Sequence, residues 1–499
     1  MKSTTTLRPA NPLPELQLDQ ASHVPLFRQL YGAIKDAILG GQIQPGAQLP
    51  PSRTLAATLG VSRQTVVNAY AQLLAEGYFT CTVGKGSFVS ERLPLRVERS
   101  RKRETQPAVA PEPPRLSERA RALVEPRMAL AAQMGAPRAF RTGMPALEAF
   151  PFDVWTRLAA RRWRRPSLPL GYGDPAGFAP LRELLAAHLQ AARGMRCAPE
   201  QIIVTTGAQQ ALGLVALMLA NAGDKVWVES PGYRGAAAAF HTAGLVACPV
   251  GVDSEGLNVD HAMAQYPGAR LAYVTPSHQY PLGVTMGLER RMALIAWAAQ
   301  HKAWIVEDDY DSEYRYAGPV LASLQSLDRS GSVLYIGTLS KILFPSLRLG
   351  YLVVPPPLVD AFHRGKAALD RSTALMQQVV LADFIAGGHF HRHIKRTHAL
   401  YDERRGVLVD ALERALGEQV AIGPSNAGLQ LAVAFRRSLD DQAFAVRAEA
   451  KGIEVRALST FYLDQATQTR ASGLLLGYSC VAPADIRPGV AVLARLLGT

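Results

Sequence analysis

Long apolar runs are missing from this 499-residue chain. The longest, residues 211–220 ALGLVALMLA, is about half of what a membrane span needs, so no membrane partner is expected. The N-terminal stretch MKSTTTLRPANPLPEL lacks an apolar centre and is not expected to act as a secretory leader. Cysteine is scarce: Cys81, Cys197, Cys248 and Cys480 are widely separated and show no paired spacing. That argues against a disulfide framework or a metal site and fits a reducing cytoplasm. What is present is ordinary for a globular protein. Hydrophobic residues make up 48% and charged residues 19%, which excludes a chain disordered throughout.

Basic residues exceed acidic ones, 54 to 41, leaving a net charge of +13 that suits a polyanionic partner. The excess is uneven. Residues 1–90 carry +3, and residues 91–140 carry +5 in only fifty positions, including 99–103 RSRKR and 107–114 PAVAPEPP. Pro, Ala and like charges cannot build a core, so 91–137 reads as a basic, Pro-rich linker with room for a helix around 115–133. It separates a small module, 22–90, from a large one, 138–499. As a coil, some forty-five residues reach about 35–40 Å.

In the first module, 26–40 LFRQLYGAIKDAILG sets Leu26, Leu30, Ile34, Ala37 and Ile38 on one helix face. Ser52 is the expected N-cap of a short helix stopping at Gly60, and Ser62 that of a second helix running to Gly77. Together they make a helix-turn-helix, with Val66, Ala69, Tyr70 and Leu73 facing its core. Arg63, Gln64 and Thr65 stand on the first turn of the second helix, where such folds meet base edges. Residues 78–89 YFTCTVGKGSFV read as two strands joined at GKG. The order PLFRQLYGAI, QIQPGAQLPPSRTLAATLGVSRQTVVNAYAQLLAEGYF, GKGSFV resembles the winged-helix DNA-binding domain of the GntR family. That resemblance implies contacts to double-stranded promoter DNA from Arg53, Ser62, Arg63, Gln64, Thr65, Gly84 and Lys85.

The large module alternates short β-rich runs (201–205, 225–229, 270–275, 303–307, 333–337) with helical stretches such as 207–220 and 288–301. This pattern predicts an α/β domain with a mainly parallel sheet, then long helices from about 357 and a small α+β end. Three segments follow strands: 204–210 VTTGAQQ, 306–312 VEDDYDS and 337–350 GTLSKILFPSLRLG. A Gly-containing helix start, an acid, a lysine and an arginine thus gather at the carboxyl ends of the strands, where open sheets bind ligands. The set suits pyridoxal phosphate, whose aldehyde takes a lysine, whose ring nitrogen takes a carboxylate and whose phosphate takes an arginine.

Residues 140–499 look like a fold-type I, class I/II aminotransferase. Joined to the GntR-type head, the chain resembles the MocR (GabR-like) regulators, on TPSHQYPLGVTM, VEDDYDSEYRY and GTLSKILFPSLRLGYLV. The implied architecture is a winged helix-turn-helix (α+β) plus an α/β transferase-like domain with a small C-terminal α+β subdomain, about 357–499. By position, the resemblance implies that Lys341 forms the Schiff base with pyridoxal 5′-phosphate. Asp308 would pair with the ring nitrogen, with Asp309 as the alternative. Tyr310 would meet the 3′ oxygen and Tyr233 would stack on the ring. Ala208, Gln209, Ser340 and Arg348 would hold the phosphate, with Tyr172 from the partner subunit of a homodimer, for which head-to-tail is one arrangement.

Two departures stand out. Tyr280 occupies the place of the usual Asn in HQYPLG. Near the C-terminus Leu475 stands where an Arg usually clamps the substrate carboxylate, with Arg456 and Arg470 as open alternatives. Two functions are therefore weighed: a regulator sensing pyridoxal phosphate or a small amine or amino-acid effector, with at most residual half-reactions, and a working aminotransferase with an appended DNA-binding domain.

Overall fold

A computed structural model of the chain describes residues 13, 16, 18–82, 86–91, 116–124, 135, 138–164, 171–318, 321–463 and 471–498. It divides into two compact units, 1–114 and 115–499.

The first unit is built on three helices, α1 (Leu26–Leu39), α2 (Ser52–Leu59) and α3 (Arg63–Ala75), and a hairpin of β1 (Phe79–Thr82) and β2 (Gly86–Val89). Leu30, Ile34, Ala37 and Ile38 of α1 are buried against Val66, Ala69 and Leu73 of α3, while Leu26 and Tyr70 are only partly covered. Gly60 ends α2 at φ 63°, a conformation that costs glycine little. Ser62 then caps α3, its hydroxyl accepting the Thr65 N–H at 3.1 Å. Ser52 does not cap α2. Pro51 holds the cap position with φ −56°, and Ser52 is already the first helical residue, without a capping bond. The proline ring presets the entry geometry that the serine was expected to supply. β1 and β2 pair antiparallel with Phe79 opposite Val89 and Thr82 opposite Gly86. Gly84 and Lys85 lie outside the described residues.

The second unit opens with a short helix, α4 (Glu118–Leu123), then α5 (Phe152–Arg164) and α6 (Ala179–Arg193). An eight-stranded sheet follows: β3 (Ile202–Thr205), β4 (Lys225–Ser230), β5 (Val246–Asp253), β6 (Gly256–Leu257), β7 (Leu271–Val274), β8 (Trp304–Asp309), β9 (Val333–Thr338) and β10 (Gly350–Val353). Its order is β3-β10-β9-β8-β7-β4-β5-β6. The neighbours from β9 through β5 run parallel, and β10 lies antiparallel to both β9 and β3. The sheet is therefore mixed, with a parallel centre. The five strands expected from sequence are present. β5, β6 and β10 were not anticipated: β5 carries Pro249 and alternates between buried and exposed residues, β6 is two residues long, and β10 is four residues long directly after a loop.

Helices cover both faces, as the alternation along β4 requires. Val226 and Val228 pack with α7 (Ala208–Leu219) and α8 (Arg234–Thr242), while Trp227 points the other way and stacks on Trp297, ring centroids 3.9 Å apart. The α4 helix packs against α8, and the Arg119 guanidinium comes close to Gly244 just beyond the end of that helix. Phe362 and Phe384 also join the cores of the large sheet. A 28-residue helix, His389–Leu416, leads to a second core around Tyr401 and Leu408. There β11 (Val420–Ile422), β12 (Gln430–Phe435), β13 (Arg456–Ala457) and β14 (Gly473–Gly477) form an antiparallel sheet ordered β11-β12-β14-β13.

Candidate functional site

In the first unit, α3 presents its opening turn to solvent. Ser62, Arg63 and Gln64 are exposed, Thr65 is partly so, and Arg53 is exposed on α2. The Ser62 and Thr65 hydroxyls lie 2.9 Å apart, and the Gln64 amide donates to Asn68 Oδ1 at 2.8 Å. Asn68, one turn further along the same exposed face, escaped the sequence reading; the i, i+4 spacing from Gln64 was the available signal.

In the second unit, the parallel strands end around a cavity of about 460 Å³. Ala208, Gln209, Tyr233, Asp308, Tyr310, Ser340, Lys341 and Arg348 all line it. Tyr172 does not: it is 80% exposed, its ring 4.7 Å from the Arg371 guanidinium.

Lys341 follows β9, and its amine donates to the Gly143 carbonyl at 2.7 Å. Gly143 has φ +66°, and a Cβ there would stand 2.6 Å from that nitrogen, so only glycine leaves the amine its place. Burial lowers the pKa of Lys341, against the opposing pull of Asp311 and Asp308. A lysine shifted this way holds more of its amine unprotonated and nucleophilic.

Asp308 lies near the end of β8. Tyr273 donates to its Oδ2 at 2.8 Å, and its Oδ1 is buried without a hydrogen-bond partner among the described residues. Burial pushes this carboxyl up to about 7; Asp309 and Asp311 add to the rise, while Tyr273 and Lys341 oppose it. A cation at the open oxygen would reverse that shift. Asp309 is otherwise engaged: it accepts from Tyr335 at 2.6 Å and Ser312 at 2.9 Å and pairs with Arg193 at 2.9 Å.

At the far end of the cavity, α7 begins at Gly207, whose φ is 124°. The Arg348 guanidinium lies 3.7 Å from where a side chain at 207 would start. A helix start with free N–H groups beside a guanidinium is a dianion cradle. The side chain of Gln209 is occupied elsewhere, donating to the Gly235 carbonyl at 2.6 Å and accepting from Tyr233 at 3.2 Å.

Tyr280 sits in an aromatic cluster with Tyr233, Tyr310 and Phe461, edge to face at 5.3–6.0 Å. Burial raises the Tyr280 phenol and the nearby Arg456 opposes that rise; Arg456 reaches the cavity from β13 with its guanidinium 5.4 Å from the Phe461 ring centroid. Of the two open alternatives for the missing cation, Arg456 lines the cavity and Arg470 lies outside the described residues. Gly143, Tyr273, Thr275 and Gln430 also line the cavity and were missed, since no local pattern sets them apart from core or loop residues.

A lysine amine, a carboxylate with an open oxygen and a dianion cradle, spaced around one cavity, fit pyridoxal phosphate. Residues 150–473 match the family model for aminotransferase class I and II, and residues 26–89 match that for bacterial regulatory proteins of the gntR family. The probable rhizopine catabolism regulatory protein MocR of Rhizobium meliloti is 39% identical over 95% of this chain and 94% of its own. The chain belongs to the MocR-type transcription regulators. A second such relative is the HTH-type pyridoxine biosynthesis transcriptional regulator PdxR of Corynebacterium glutamicum, 33% identical over 87% of this chain and 88% of its own. Among solved structures, the kynurenine aminotransferase of Pyrococcus horikoshii superposes with a TM-score of 0.67 at 29% identity, covering 77% of this chain and 94% of the enzyme. As a MocR-type regulator, the chain joins a DNA-binding head of the GntR family to a domain for which pyridoxal phosphate is the cofactor. Among the described residues, no helix is long and apolar enough to cross a membrane.

Proposed function

We propose that this MocR-type regulator acts in the cytoplasm, holds pyridoxal phosphate on Lys341, and reads small amines or amino acids, or the cofactor itself, as its signal. Bound cofactor supplies an aldehyde carbon that exchanges reversibly between primary amines. The chain does the rest. Asp308 offers its free oxygen to the ring nitrogen, and Tyr233 covers the ring face. The start of α7 at Ala208 and Gln209, with Ser340 and Arg348, takes the phosphate. Arg456 is the cation available to an effector carboxylate, in place of the residue that Leu475 replaces.

The observation that carries this reading is the convergence on one cavity of a half-buried lysine, a carboxylate with an unsatisfied oxygen and an arginine beside a helix start, in a chain headed by a helix-turn-helix. Exposed Tyr172 suits a reach into the phosphate site of a partner in a homodimer, whose two heads would read paired half-sites of promoter DNA through Arg53, Ser62, Arg63, Gln64, Thr65, Gly84 and Lys85. An effector alters promoter binding only if it prefers one arrangement of that dimer.

The test is a visible spectrum of the purified protein titrated with amines and amino acids, alongside promoter binding measured by fluorescence anisotropy. Ligands that change the spectrum should also change the anisotropy midpoint. Protein that stays colourless in saturating cofactor refutes the assignment. Retention of the lysine, aspartate and arginine supports a second reading, a working aminotransferase. Sustained turnover of about 1–1000 per second with a keto-acid acceptor would favour it.

A further inference from the structure

Against Tyr310, and outside the cavity lining, lies a buried pair that the proposed function leaves without a role. His278, 4% exposed, places Nδ1 at 3.0 and 3.2 Å from the two carboxylate oxygens of Asp311, itself 1% exposed. The same nitrogen lies 3.0 Å from the Tyr310 hydroxyl. Neither residue lines the cavity, whereas Tyr310 does.

With Asp311 ionised, the geometry gives one assignment of protons. Asp311 as a carboxylate only accepts, so Nδ1 carries the ring hydrogen and shares it between the carboxylate and the phenol oxygen. With that hydrogen arriving from His278, the single Tyr310 O–H is free to be donated elsewhere, and Tyr310 lines the cavity. The ring is held in place by its surroundings. At Gly428 (φ +89°) a Cβ would stand 2.1 Å from Cε1 of His278, and at Gly283 one would stand 3.2 Å from Nε2. Nε2 is buried without a partner among the described residues, so the ring's polar contacts are concentrated on the Nδ1 side.

We propose that His278, fixed by Asp311, is a positioning residue that holds Tyr310 as a hydrogen-bond donor into the cofactor cavity. This rests on the reading of Lys341 and Tyr310 given above. A donor on the cofactor's 3′ oxygen would stabilise negative charge there, and the Lys341 nitrogen joined to the cofactor would then hold its proton less tightly. Weakening the donor raises the pH at which the bound cofactor's absorbance changes. The charged and titratable groups facing this assembly are Asp308, Asp311 and Tyr280 around Tyr310, Asp309 and Glu313 around Asp311, and Asp308, Asp311 and Arg456 around Lys341. All remain in place in the variants below.

The experiment is a pH titration of the visible absorbance of the cofactor-loaded full chain. His278→Leu should raise the midpoint by about half a unit or more, the size expected for one weakened hydrogen bond to a charged group, and should loosen cofactor binding severalfold. His278→Asn, whose amide falls where Nδ1 was, should keep the wild-type midpoint. In a Tyr310→Phe background, itself shifted upward, His278→Leu should add nothing. If leucine beside Asp311 prevents folding, His278→Gln replaces it, since its amide reaches the Nε2 position and leaves Tyr310 without that donor. A folded, coloured His278→Leu or His278→Gln protein with an unmoved midpoint overturns the proposal, as does an unmoved midpoint in Tyr310→Phe. Wild-type protein that takes up no colour would instead refute the cofactor assignment on which it stands.

Discussion

Arg456 and Leu475 face each other directly across the antiparallel strands β13 and β14. Directly opposed residues in such a pair present their side chains to the same face. The resemblance would have β14 bring an arginine to the cavity; it carries a leucine instead, buried with Ala432, Leu458 and Phe461, and the neighbouring strand supplies a guanidinium. Arg456→Leu should therefore weaken binding of amino-acid effectors by about tenfold or more while leaving amines without a carboxylate nearly unaffected. Spectral titration with an amino acid and its decarboxylated amine makes that comparison; equal losses for both would refute it.

Lys341 is the one amine lining the cavity among the described residues. Lys341→Ala should abolish the visible absorbance of bound cofactor without unfolding the domain. It removes a half-buried side chain whose polar contact is one bond to the Gly143 carbonyl. Circular dichroism checks the fold and the visible spectrum checks the link.

Asp308 links cofactor to stability. Its carboxyl rises from an ordinary 3.8 to about 7 on burial. An acid raised in the folded state binds its proton more tightly there than in the unfolded chain, so its contribution to stability is lost as pH climbs through that interval. Cofactor-free Asp308→Asn should thus melt at higher temperature than the cofactor-free native protein above about pH 7, with the gap closing toward about pH 4. The same variant should bind cofactor more weakly. Melting curves that stay parallel across pH would count against this account.

On the DNA-binding head, Arg63→Ala should cost about 1–3 kcal/mol of promoter binding if it reads a base, relaxing preference at one position. Anisotropy titrations over a set of single-base promoter variants test this. Leu73→Ala, which opens a fully buried site between α1 and α3, should instead destabilise the head by about 2–5 kcal/mol and weaken binding to every sequence alike.

The dimer can be tested by complementation. Lys341→Ala and Tyr172→Ala homodimers should each bind cofactor poorly. Mixed and re-equilibrated, they should yield heterodimers in which one of the two sites has both residues, and colour should partly return. No recovery would place Tyr172 outside its partner's site.

Much of this was legible in the sequence wherever the determinants are local. The Ser62 cap, the Gly60 stop and the apolar stripe of α1 depend on residues within a few positions of one another. The motifs around Asp308 and Lys341 each sit at the end of one strand. What was not legible is what tertiary structure assembles. Gly143 receives the Lys341 amine from 198 residues away, and the His278–Asp311 pair spans 33. Arg456 reaches the cavity because of the pairing between β13 and β14, which periodicity does not reveal. Ser52 shows the opposite failure: a plausible local rule lost to the stiffer proline beside it.

The α8 helix carries a mechanical consequence. It starts beside Tyr233, at the cavity wall, and ends near α4. Nine residues of helix make a strut of about 14 Å that transmits a push along its axis with little bending. A shift of the aromatic wall at one end would therefore be carried to α4 at the other as displacement rather than absorbed by bending.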